Sequence, residues 1–284
     1  MGKGSRGGLF PTNNYWWNNL GDFVMAKIKK RNNQWYGWKP DIPDFRDFTL
    51  KISDDTIQNL PEKVDLRNPK LPIFNQLRIG SCTSQAIATA HMFNQIKQSD
   101  KEPFIPSRLF IYFNEREMMG NVEIDSGAHL RDGIKSLNSQ GVCEEIIWPY
   151  DISKFKDKPT PECYKDALNH QAVTYERVVQ TEDQLRGCLA SGFPFVFGFA
   201  VYEFFESKEM AKTGVLKMPE KDEKMLGGHA VICISYDYST KTFLIQNSWG
   251  RDFGQNGFFT MPFEYILHPQ LAADFWAIKL VEID

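Results

Sequence analysis

Three short segments carry side chains able to do nucleophilic chemistry. In Asn75-Gln76-Leu77-Arg78-Ile79-Gly80-Ser81-Cys82, a thiol stands where a helix is predicted to open. A thiol at a helix N-terminus feels the positive end of the macrodipole, which lowers its pKa and favours thiolate. Gly80 beside it lets the backbone approach a ligand closely. Taken alone, this segment reads equally well as a small buried core cysteine. Among the histidines His91, His129, His170, His229 and His268, His229 has a distinctive setting. It follows Gly227-Gly228 and enters an apolar strand that starts at Ala230, so an imidazole there can be held rigidly at a cleft edge. His91 falls within the Cys82 helix and reads as a surface or core residue. His129 opens another helix, at the surface or lining the cleft, and His170 and His268 have polar or loop contexts. The third segment, Gln246-Asn247-Ser248-Trp249-Gly250, follows a short strand. Its Asn can orient His229 and its Trp can cover that hydrogen bond from water. Alone, it reads as a β-turn with a core tryptophan.

These side chains need elements to hold them. Helical spacing predicts helices from Cys82 to about Gln98, from about Ser107 to Met118, and from Ala128 to Gln140, with Gly141 as the C-terminal glycine. After about residue 170 the character changes. Apolar runs at Phe193–Phe199, Ala230–Ile234, Thr242–Ile245, Gly257–Met261 and Ala277–Val281, bounded by Gly, Asp and Asn, read as buried strands. A helical first half and a strand-rich second half argue for an α+β protein of two lobes with a cleft between them. The helical lobe is expected over about 76–170 and the β lobe over about 171–284. Residues 1–59 read as an N-terminal arm. A short helix around Phe23–Ala26 is expected in it, and the run Trp38–Phe48, broken by Pro and Asp, should be extended.

Composition narrows the function classes. The chain has 284 residues, a net charge of −3, and 42% hydrophobic and 24% charged residues, ordinary for a soluble globular protein. No apolar stretch is long enough to read as a transmembrane helix. The basic run Lys27–Arg31 reads as a solvated face rather than a nucleic-acid or membrane patch. The first residues lack the apolar block of a secretory signal, so an intracellular or particle-associated location is expected. Five scattered cysteines without a CxxC pair suggest neither a zinc knuckle nor a dense disulfide framework, though one or two bridges stay open.

Together the segments resemble the papain-like cysteine peptidases. Cys82, His229 and Asn247 stand in that family's chain order. Pro61-Glu62-Lys63-Val64-Asp65-Leu66-Arg67 is similar to the family's mature N-terminus, and Asn247-Ser248-Trp249-Gly250 is intact. Gln76 stands where the family places its oxyanion-hole glutamine. Asp125-Ser126-Gly127 resembles its glycine-bearing substrate segment. The resemblance implies the papain-like fold, a helical lobe against an antiparallel β-barrel-like lobe, with residues 60–284 as the peptidase domain. It implies a thiolate–imidazolium pair of Cys82 and His229, with Asn247 as orienter and Gln76 as oxyanion donor. Ser126, Gly127, Gly227, Gly228, Ala230 and Trp249 would touch a peptide or protein substrate. A pocket beside His229 would take an apolar side chain, with its floor near Leu271-Ala272-Ala273. Endopeptidase activity, no cofactor or metal, a monomer and a short prosegment at the N-terminus are expected. Departures stand at Ile79, where the family usually has a cysteine, at Thr83, where it has an aromatic, and at Ser84-Gln85-Ala86. They suggest a divergent microbial or viral branch. Two other readings remain: a catalytically silent peptide-binding relative, and a transglutaminase-like acyl-transfer enzyme.

Overall fold

The computed structural model describes residues 36–282. The expected short helix at Phe23–Ala26 lies outside the described residues. From Tyr36 to Ile52 the chain runs without helix, as its Pro and Asp content requires. In chain order there follow α1 (Asp54–Gln58), β1 (Lys63–Asp65), α2 (Cys82–Gln98), α3 (Arg108–Met118), α4 (Leu130–Gln140), α5 (Pro161–Ala167), β2 (Ala172–Arg177) and α6 (Glu182–Ala190). Then come β3 (Phe195–Tyr202), α7 (Lys208–Thr213), β4 (Met225–Asp237), β5 (Thr242–Gln246), β6 (Phe258–Pro262), α8 (Phe263–Leu267) and β7 (Ala272–Val281).

The strands form one antiparallel sheet in the order β2-β7-β3-β4-β5-β6, with β1 also on β4. The barrel expected from the resemblance is therefore an open sheet, because β2 and β6 end the order and do not pair. Alternation explains the unbroken apolar runs. Phe195, Phe197, Phe199 and Val201 of β3 join Val231 and Cys233 of β4 in one core. Val196, Ala230, Ile232 and Ile234 point the other way, into a second core shared with α2. A strand buried on both faces reads as continuously hydrophobic.

Small residues let α2 sink into that second core. Ala86, Ile87, Ala88 and Ala90 are all buried there, and the helix is covered along Cys82–Gln95. The helix thus delivers its first residue to the seam between helices and sheet. The opposite wall is the start of β4, where Phe199 pairs with His229 and Ala200 with Gly228. At the far end of α4, Gly141 takes φ 75° as the helix stops.

Candidate active site

Cys82 is the first residue of α2, preceded by Ser81, which makes no side-chain cap. The sulfur is fully buried and accepts hydrogen bonds from the backbone N–H groups of Ala230, Gly37 and Thr83. The Ala230 bond places β4, and with it His229, against the nucleophile helix.

Asn247 follows β5, whose Gln246 pairs with Ile232 of β4. Its Oδ1 lies 2.8 Å from His229 Nε2 and accepts the Ser248 N–H at 2.8 Å. The second donor fixes Oδ1, not the amide nitrogen, toward the ring, so Nε2 carries the proton. Nδ1 is then a bare acceptor, and it has no hydrogen-bond partner among the described residues. Trp249 covers the ring, with centroids 5.2 Å apart, and Phe199 meets it edge-on at 5.7 Å. Both shield the Asn–His bond from water.

Gln76 is held from several sides, with its carbonyl accepting the Tyr150 hydroxyl at 2.9 Å. Its N–H donates to Ser248 O at 2.9 Å, its Nε2 to Ile79 O at 3.1 Å, and its Oε1 accepts the Ser248 hydroxyl at 2.8 Å. Ser248 therefore joins the Asn247 turn to the glutamine loop. The nucleophile loop is tied to the glycine segment in turn, since Gly80 N–H donates to Asp125 at 2.9 Å and Tyr112 OH donates to the same carboxylate. The Tyr112 hydroxyl also accepts from Gly127 N at 3.1 Å.

The departures from the family pattern have local explanations. Thr83 donates to the buried Glu115 carboxyl at 2.7 Å, a bond that its short hydroxyl makes within the helix packing. Gln85 accepts from Arg108 at 3.1 Å and donates to Ser81, whose hydroxyl meets Tyr150 OH at 2.6 Å. Ile79 fills an apolar cluster with Leu109, Tyr112 and Ala128. All five cysteines are free thiols.

The N-terminal arm occupies the cleft. Gly37 lies between Gly80 and Gly127: a Cβ on Gly37 would fall 1.7 Å from Gly80 O, and one on Gly127 2.1 Å from Gly37 O. Gly37 accepts from Ala128 N at 2.7 Å, Trp38 N donates to Gly228 O at 3.0 Å, and Lys39 N donates to Ala128 O at 2.9 Å. His129 adds a contact to Lys39 O at 3.2 Å. The side chains of Tyr36 and Trp38 sit over Gly227 and Gly228 respectively. Beyond the cleft, Asp41 and Asp47 are ion-paired with Arg177, and Asp47 also with Arg131.

This burial reverses one expectation. Burial under the arm pushes the Cys82 thiol up to about 12, outweighing its backbone hydrogen bonds. Desolvation likewise takes His229 down to about 4, against the smaller opposing effect of Asn247. With the arm seated, burial favours the neutral thiol and the neutral imidazole.

Of the residues expected to touch substrate, Gly127, Gly227, Gly228, Ala230 and Trp249 line this cleft. Ser126 is buried behind it, its hydroxyl on Gly127 O at 2.8 Å. The expected pocket floor is only partly so placed. Leu271 and Ala272 face the phenylalanine core, while Ala273 lies opposite Gly198. The polar group reaching the cleft is the next residue, Asp274, which accepts the Trp38 indole N–H at 3.2 Å. Sequence reasoning missed Asp274, Ser248 and the Asp41–Asp47 clasp. The one available signal was the spacing of Asp41, Asp44 and Asp47 beside Pro40 and Pro43.

Among the described residues, no helix is long and apolar enough to cross a membrane and no group of His, Cys, Asp and Glu is placed to hold a metal ion.

Comparison with known proteins identifies the family and the fold. The family model of papain family cysteine proteases matches residues 60–266. An uncharacterized peptidase C1-like protein of Acanthamoeba polyphaga mimivirus is 41% identical over 270 residues, 87% of each chain. The crystal structure of xylellain, a cysteine protease from Xylella fastidiosa, superimposes with a TM-score of 0.83 at 46% identity, covering 89% of this chain and 98% of that one. A procathepsin B of Trypanosoma congolense shares the fold, with a TM-score of 0.68 at 15% identity over 93% of this chain and 98% of that one. The viral and bacterial relatives, the matched family model and the cleft geometry together place this chain in the papain family of cysteine proteases.

Proposed function

We propose that the chain is an endopeptidase that cuts peptide bonds with Cys82, His229, Asn247 and Gln76, and that its N-terminal arm is an inhibitory prosegment. One observation carries the reading. The Asn247–His229 bond commits the imidazole proton to Nε2 and leaves Nδ1 bare, on the strand whose next N–H meets the Cys82 sulfur.

Once the cleft is open and wet, the desolvation that holds the pair neutral is relieved. His229 Nδ1 takes the Cys82 proton, and the thiolate attacks the peptide carbonyl carbon. The Gln76 amide and the Cys82 backbone N–H receive the developing oxyanion. One such donor is worth about 2.7–4 kcal/mol in the transition state. The imidazolium returns its proton to the leaving amine, and water, deprotonated by His229, releases the acyl group. Asn247 keeps the ring in its tautomer throughout, as a neutral counterpart of a triad carboxylate.

The arm supports cutting within chains rather than at their ends. It runs from Tyr36, at Trp249, past Gly37 at the thiol, to Lys39 at Ala128. The cleft thus holds backbone on both sides of Cys82. The test is labelling by an epoxide that alkylates papain-type thiols, with N-terminal sequencing after incubation. Wild-type protein should become labelled at Cys82 and lose its arm, and Cys82→Ala should do neither. Unlabelled Cys82 in protein that has lost its arm would leave only a silent peptide-binding protein.

A further inference from the structure

The side chain of Trp38 sits in a slot cut to its shape. A Cβ on Gly198 would fall 1.9 Å from the indole Cε2, and one on Gly228 2.6 Å from Cε3. Any larger residue at either position would displace the ring. At the end of the slot the indole N–H donates to Asp274 Oδ2 at 3.2 Å, and the same oxygen accepts the Asp41 N–H at 2.7 Å. Asp274 holds φ 60°, a conformation seldom adopted outside glycine.

Both donors on Oδ2 belong to the arm, so both leave with it. The other oxygen keeps its partner: Arg177 Nη1 is 3.4 Å from Oδ1, and the two residues sit on paired strands, with Arg177 opposite Trp276. The opened slot therefore ends in an oxygen that has lost both arm donors and that an incoming side chain would bury again, on a carboxylate that already has its cation.

We infer that Asp274, at the end of this slot, makes the substrate side-chain pocket that the family resemblance implies prefer tryptophan. The inference rests on the protease reading above. Phenylalanine or leucine fills the apolar part of the slot but leaves Oδ2 buried and unpaired, which binding sites penalise strongly. Arginine or lysine brings a donor, but also a second positive charge beside Arg177, with like-charge repulsion in a poorly solvated site. A neutral flat ring with one N–H meets both demands. The apolar preference expected from the family resemblance is thereby replaced by a polar aromatic one.

The test uses the full chain opened by Trp38→Ala, which empties the slot. Alkylation of Cys82 by iodoacetamide reports opening, and peptides randomised along their length report selection, with cut sites read by mass spectrometry. Cys82 in Trp38→Ala should label faster than in wild type. The cut peptides should carry Trp at one fixed distance from the cut, over Phe and Leu by roughly tenfold, with Arg below Trp. Adding Asp274→Leu should abolish the advantage of Trp over Phe while cutting continues. Unchanged labelling in Trp38→Ala would mean that the slot does not anchor the arm, and would overturn the inference. So would Phe, Leu or Arg equal to Trp, or a Trp preference that survives Asp274→Leu. Fast labelling with no peptide cut would sink the protease reading and this inference together. Cutting without Trp selection would sink this inference alone.

Discussion

The Ser248 hydroxyl donates to Gln76 Oε1 at 2.8 Å. Through it, the turn bonded to His229 also holds the side chain proposed as oxyanion donor. A hydroxyl bond worth about 1 kcal/mol thus couples two halves of the site that come from opposite ends of the domain.

That coupling separates two variants. Gln76→Ala should lower kcat by about a hundredfold to a thousandfold, the usual loss for one oxyanion donor. Ser248→Ala leaves the amide in place but loosens it, and should lower kcat by about tenfold with KM little changed. Steady-state kinetics on one peptide measures both. Equal losses in the two variants would show that Ser248 does more than position Gln76.

Gly37→Ala should unseat the arm, because its Cβ would fall 1.7 Å from a backbone oxygen that cannot move aside cheaply. The thiol, pushed up to about 12 mainly by burial, would return toward its ordinary range. Iodoacetamide at pH 7 should then label Cys82 at least roughly tenfold faster than in wild type. A matched melting temperature would confirm that the domain itself stays folded.

Two buried imidazoles predict acid sensitivity. Burial takes His91 down to about 3 and His229 to about 4. A neutral histidine with a lowered folded pKa contributes stability above its unfolded value, near 6.5, and loses it as pH falls toward the folded value. Each should cost about 1.4 kcal/mol per pH unit across that window. The melting temperature should therefore drop from about pH 6.5 to pH 4. His91 donates to His170 O at 3.2 Å and accepts from Gln95 at 3.0 Å, and His91→Gln should flatten its share of the slope. An unchanged slope would assign the whole acid effect elsewhere.

Glu115 predicts the opposite limb. Burial, with one oxygen unpartnered, and the nearby Asp132 charge raise its carboxyl well above the ordinary range, against the opposing hydrogen bond from Thr83. A raised folded pKa means stability that is full below the unfolded value, near 4.5, and is lost as pH rises through the folded one. Glu115→Gln should leave the melting temperature nearly unchanged in acid and raise it in alkali. Thermal melts across pH 5–10 would show it.

Much of this was legible in the sequence, for reasons that differ by residue. Helix α2 is legible because Ala86 and Ala90 are small enough for it to be enclosed. The strands β3 and β4 are legible because both faces are buried, but β4 begins at Met225, earlier than its apolar run, since Gly227 and Gly228 carry no side chain to betray a strand. Helices α1, α5, α6, α7 and α8 are not legible because they are short. In α6, Leu185, Cys188 and Leu189 are the core residues, too few to set a period. In the site, Cys82, His229 and Asn247 were legible by type and order. Asp274 was not, because its meaning depends on Trp38 and Asp41, more than two hundred residues earlier. The reading of Cys82 as an acidified thiol failed for the same kind of reason. A helix terminus is visible in sequence, but the arm that dries it is a tertiary fact.

Gly37 offers the Cys82 sulfur an N–H, and its own carbonyl is taken by Ala128. Seated this way, the arm shows the thiol a donor rather than a carbonyl to attack. The cut that the proposed prosegment undergoes therefore has to wait until the strand lifts and returns in another register, and its rate can be tuned at residues such as Trp38 and Asp47 without touching the chemistry beneath.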